Sequence, residues 1–94
     1  MNDITHATDS QNLLELMARA ERDNPEGGKF NGTHTHGDKP TLIRPGLPGL
    51  DDRITYETDD MKQLVDSGYV HQSGASRGNH NYWLSDAGRQ SARI

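Results

Sequence analysis

The stretch GYVHQSGASRGNHNYWLSDAGR, Gly68 to Arg89, constrains this chain more tightly than any other. Two short apolar runs, Tyr69-Val70 and Tyr82-Trp83-Leu84, flank a loop of small, polar and cationic residues. Aromatic and β-branched runs separated by turn formers predict a β-hairpin. Its first strand covers Tyr69 to Gln72, its loop Gly74 to Gly78, and its return strand Tyr82 to Leu84. Adjacent strand residues point to opposite faces, so one of Tyr82 and Trp83 must face away from the core unless another element covers it. Ser85 then caps a last short helix running through Asp86, Ala87 and Arg89.

Two more helices are legible upstream. Thr8-Asp9-Ser10-Gln11 has the form of a capping box, with Ser10 as a second cap. Leu13, Leu16, Met17 and Ala20 then recur at helical spacing, widened by Leu14. Glu15 and Arg19 stand four apart in the favourable order. Asn24-Pro25 and the glycines after it stop this helix. The second starts at Thr58 as its cap, with Asp59 and Asp60 in its first turn, where the helix dipole favours acids. Met61, Leu64 and Val65 make its apolar face, and Gly68 closes it in a left-handed conformation.

Between these helices the sequence turns poor in order-forming residues. Residues 25–50 hold all four prolines and a cluster of glycines. Only Thr41 to Arg44 reads as a short strand, and Pro40 and Pro45 bracket it, which predicts an edge strand or an extended segment. Only 30% of the 94 residues are apolar, against roughly 45–50% in typical domains when glycine is counted. The expectation is one small domain over residues 10–94, with an irregular insert at 25–50 and a flexible polar terminus at 1–9.

The net charge is −4. Residues 1–60 carry six cations against twelve acids, net −6, and residues 61–94 carry four cations against two acids, net +2. This argues against a general nucleic-acid coat but keeps a local contact open in the C-terminal third, through Lys62, Arg77, Arg89 and Arg93. The chain has no cysteine, which excludes disulfides and cysteine-based zinc sites. The start MNDITHATDSQN has neither a basic head nor an apolar run, and no run reaches the roughly 18 residues of a membrane span. A cytoplasmic protein without membrane contact is expected.

A helix ending in Leu-x-x-x-Gly-Tyr-Val, a hairpin, and then Tyr-x-Leu-Ser-x-x-Gly-Arg resembles the back half of a winged-helix domain. The matching pieces are MKQLVDSGYV (61–70), SGASRGNHN (73–81) and YWLSDAGRQ (82–90), about a third of the chain. The resemblance implies an α+β, winged-helix-like fold in which 58–67 is the recognition helix and the hairpin loop is the wing. The first helix would be 10–24 and the first strand Thr41 to Arg44. The sequence departs from the pattern in the middle, where a further compact helix is expected and Gly/Pro-rich sequence stands instead. It departs again at the front of the recognition helix, where Glu57, Asp59 and Asp60 would oppose DNA phosphates.

Two functions follow, from different classes. The leading expectation is a DNA-associated regulatory protein that touches the backbone of double-stranded DNA through its wing. Arg77 would make that contact, with His71 and His80 on the wing and Lys62 and Gln63 on the helix. Specificity would then call for a homodimer, formed through the N-terminal helix. The alternative is a protein-interaction module or small inhibitor that meets a basic protein partner. It would use the acidic residues Asp51, Asp52, Glu57, Asp59 and Asp60, with Trp83 as an interface anchor. The segment around His34, His36 and Asp38 offers donors suited to zinc or nickel, yet no further ligand is fixed beside it, so an exposed loop without metal is expected. No nucleophile–base pair or phosphate loop is present, so neither enzymatic activity nor a cofactor is expected.

Overall fold

The computed structural model describes residues 4–23, 29–33, 40–43, 53–76 and 79–92. Nine elements run in the order β1 (Ile4–His6), α1 (Ser10–Asp23), β2 (Phe30–Thr33), β3 (Thr41–Ile43), β4 (Arg53–Thr55), α2 (Thr58–Asp66), β5 (Val70–Ser76), β6 (Asn79–Leu84) and α3 (Asp86–Ala92). The strands form one sheet in the order β1-β4-β3-β2-β6-β5, so the fold is α+β. All pairs are antiparallel except β1 with β4.

Strand alternation decides where the helices lie. The register aligns Val70 with Leu84, Phe30 with Tyr82, Gly32 with Leu42, and Leu42 with Ile54. These residues share one face of the sheet. All are buried, and they pack with Leu13, Leu14, Met17 and Ala18 of α1, Met61 and Leu64 of α2, and Ala92 of α3. The three helices therefore cover that face. A two-layer arrangement follows, with a single core between helices and sheet.

Local signals set most of the joints, and several differ from the expected residue. Asp9, rather than Thr8 or Ser10, caps α1: its carboxylate accepts the Asn12 backbone N–H at 2.7 Å. The Asn12 side chain reciprocates by accepting the Thr8 N–H at 3.0 Å. The N-cap of α2 is Glu57 rather than Thr58, and it makes no side-chain capping bond. The exit of α2 is as expected. The Tyr69 N–H donates to the Leu64 carbonyl and the Gly68 N–H to the Val65 carbonyl, with Gly68 at φ +81°. That is the Schellman arrangement, and it aims the chain straight into β5.

The front half departs further from expectation. Residues 4–6 fall in the polar terminus, yet they form β1, and the Ala7 N–H adds a bond to the Thr55 carbonyl at 2.8 Å. Phe30–Thr33 falls in the irregular insert and forms β2. The expected strand at Thr41 is present as β3 but is interior, paired with both β2 and β4. Pro40 stands just before the strand, where its missing N–H costs no ladder bond, and its carbonyl accepts the Tyr56 N–H at 3.1 Å. Between α1 and α2 the described residues form strands and no helix. No described helix is long and apolar enough to cross a membrane.

Candidate functional site

The segment Ser85-Asp86-Ala87-Gly88-Arg89 holds the C-terminal half together. The Ser85 hydroxyl donates to the Gly68 carbonyl at 2.6 Å and accepts the Gly88 N–H at 3.1 Å, which caps α3 onto the exit of α2. A Cβ on Gly88 would stand 2.1 Å from the Tyr69 carbonyl oxygen, so only glycine lets α3 lie this close to β5. Arg89 reaches α1, donating from Nε to Glu21 Oε1 at 2.6 Å and from Nη2 to Oε2 at 3.2 Å. Its Nη1 also meets Asp86 at 3.0 Å. The bond to Glu21, before any other cause, raises the guanidinium further above its usual value. This arginine is thus tied to α1 and to its own helix.

A cleft of about 340 Å³ opens between α2 and the hairpin. Its rim carries Lys62 and Asp66 from α2 and Gln72 and His80 from the hairpin, and its floor is Tyr56, Met61 and Tyr82. Gln72 and His80 sit across the hairpin from one another, joined from Nε2 to Nδ1 at 2.8 Å. Beneath them the hydroxyls of Tyr56 and Tyr82 are hydrogen-bonded to one another. Burial pushes the Tyr56 phenol well above its ordinary value, and the bond to Tyr82 adds to this. Burial also raises Tyr82, while the bond with Tyr56 acts the other way. Gly32 makes room for the pair, since a Cβ there would come within 2.6 Å of the Tyr82 ring. The floor is uncharged, and the cation and carboxylate of the cleft, Lys62 and Asp66, stand on its rim.

The opposite face of the sheet has a different chemistry. Trp83 is half-buried there, paired in register with His71. The two ring centroids are 5.4 Å apart at an interplanar angle of 38°. The Lys29 ammonium stands over the Trp83 ring, 4.3 Å from its centroid. One step along the strands, Ser73, Asn81 and Asn31 line up across β5, β6 and β2. At the far edge His6 Nδ1 meets the Thr55 hydroxyl at 2.8 Å.

The expected site residues therefore divide. Lys62 and His80 come together on the cleft, and Gln63 is exposed on the same helix. His71 does not join them, because it lies one residue out of phase with Gln72 and points to the other face. Glu57 and Asp59 are exposed and Asp60 half-buried at the front of α2. Arg77, Asp51 and Asp52 lie outside the described residues, as do His34, His36, Asp38 and Arg93. Among the described residues no group of three metal-binding side chains converges. Sequence reading passed over Lys29, Gln72 and the pair Asn31/Asn81. Alternation from Trp83 would have placed Asn81 beside it, whereas Lys29 and Asn31 needed the pairing of β2 with β6.

No protein-family model, curated protein or solved structure matches the chain.

Proposed function

We propose that the protein is a DNA-associated regulator of winged-helix type, touching the backbone of double-stranded DNA with α2 and the β5–β6 hairpin. The carrying observation is that the Gly68 cap and the Ser85 hydroxyl fasten the hairpin to α2, so that Lys62 and His80 open on one cleft. A cation on a helix and polar groups on a rigidly held hairpin suit phosphate contact, which positions a protein without reading sequence. Arg77, which stands between β5 and β6 in the sequence, belongs to the same proposed contact, and Gln63 adds a polar group on the exposed side of α2. The scaffold is binding machinery and carries out no reaction.

Fluorescence anisotropy of a labelled duplex of mixed sequence tests this. If three phosphates are neutralised, affinity falls roughly 40-fold between 50 and 200 mM salt. Lys62→Ala and Arg77→Ala each weaken binding and flatten the salt slope by about one. Absence of binding at low salt overturns the reading.

One observation favours a second reading. Glu57, Asp59 and Asp60 crowd the end of α2 that would enter a major groove, and Asp66 shares the cleft with Lys62. These acids suit a basic protein partner, as in a small inhibitor. That reading predicts that Asp59→Asn with Asp60→Asn weakens the capture of a cationic peptide. The duplex reading predicts that the same variant binds DNA more tightly.

A further inference from the structure

We propose that the helix-free face of the sheet is a stacking platform for single-stranded nucleic acid, centred on Trp83. This surface is separate from the cleft and stands or falls independently of the duplex reading.

Charge is sorted between the two layers. Every described acid, from Asp9 to Asp86, lies in a helix or at a helix N-cap. No described strand contains an aspartate or glutamate. Among the described residues, an acidic chain thus presents strands without acids. A polyanion approaching α2 meets Glu57, Asp59 and Asp60, whereas one approaching the sheet meets Lys29.

The side chains on that face have the chemistry of base recognition. Trp83 and His71 put two rings side by side on neighbouring strands. Lys29 rests on the Trp83 ring, and such an exposed cation–π contact is weak and easily exchanged. An unpaired base can take the ammonium's place on the ring while its phosphate takes the ring's place on the ammonium. Asn31, Asn81 and Ser73 then supply amide and hydroxyl groups to base edges one step away. A duplex keeps its base faces inside its own stack, so only unpaired bases can use this platform. A neutral sugar would stack as well but would leave the charge sorting without a use.

Trp83 is the sole tryptophan of the chain, so its emission reports on this face alone. The experiment titrates the full chain with 12-nucleotide oligothymidylate and oligouridylate at 50 and 200 mM salt, following that emission. Saturable quenching that weakens with salt is expected, and preference for one oligomer names DNA or RNA as the natural ligand. Lys29→Glu should weaken binding about tenfold and His71→Ala at least threefold, both being exposed positions that leave the core intact. Trp83→Ala, followed by anisotropy of a labelled oligomer and checked for folding by its melt, should lose at least fivefold. Lys62→Ala, on the helix side of the sheet, should leave the quenching unchanged, which separates this surface from the duplex contact. Four results overturn the proposal: no quenching by either oligomer, quenching that Lys29→Glu does not weaken, equal quenching by a duplex, and equal quenching by polyglutamate, which would make the face a site for an acidic protein.

Discussion

The module from Thr58 to Ala92 and the four strands before it are assembled by different means. In the module each joint is local: a Schellman exit from α2, a hairpin, a serine cap and a glycine contact within 21 residues, Gly68 to Gly88. In β1 to β4 the strands are three or four residues long and pair across gaps of sequence, β1 with β4 over some fifty residues. Such strands have little stability of their own, and they order because Phe30, Leu42 and Ile54 share the core that the module and α1 provide. The module is the template, and β2 is the strand that docks the rest upon it, through β6.

The strongest way to break this contrast is Gly88→Ala. The added Cβ would meet the Tyr69 carbonyl oxygen at 2.1 Å, and both sides of that contact are backbone. Relief requires α3 to move off β5, which also pulls Arg89 from Glu21. A loss of about 3 kcal/mol is expected, near the upper end for overpacking, with a Tm lower by about 12–24 °C. Urea unfolding checks it. If the module is the template, the whole sheet unfolds in the same transition. A separate early transition confined to the C-terminal helix would show that β1 to β4 stand without the module.

What was legible in the sequence follows the same line. The helix Ser10–Asp23, the exit at Gly68, the hairpin and the Ser85 cap are written in spacing and turn chemistry within a few residues. Phe30–Thr33 is not, because Asn31 and Gly32 read as loop formers. Gly32 is explained only by the Tyr56–Tyr82 pair above it, and Tyr56 lies 24 residues away. The alternation of Tyr82 and Trp83 announced one outward aromatic, but which of the two faced out depended on where the helices packed. Lys62 and His80 were found together because both sit in the module. His71 falls on the other face from His80 because strand phase sets it one residue off Gln72.

The tyrosine pair sharpens the contrast from the other side, since Tyr56 follows β4 and Tyr82 belongs to β6. A phenol whose proton is held more tightly in the fold than in the unfolded chain stabilises fully below the ordinary phenol value of about 10, and that stability is lost as pH rises above it. Stability should therefore be flat from pH 8 to about 10 and decline beyond. Tyr56→Phe should cost about 1 kcal/mol at pH 8, from the lost hydrogen bond, and should make the alkaline decline shallower. Urea midpoints from pH 8 to 11 for both proteins provide the check. An unchanged alkaline slope in the variant would place the titrating group elsewhere.

The smallest effect belongs to the ion pair that, among the described residues, joins the module to α1 over the longest stretch of sequence. Arg89 and Glu21 are joined by two bonds, but their side chains are 49% and 22% exposed, so water and salt screen them. The bidentate geometry argues for the upper part of the surface range, about 0.5–1 kcal/mol. A double-mutant cycle with Arg89→Ala and Glu21→Gln should return a coupling of that size at 50 mM salt and most of it should vanish at 1 M. Coupling that persists at high salt would mean that the pair holds α1 and α3 in a geometry on which packing depends. A coupling near zero at low salt would mean that the buried faces of Leu13, Leu14 and Met17 hold α1 in place alone, with Arg89 merely lying across the surface they leave.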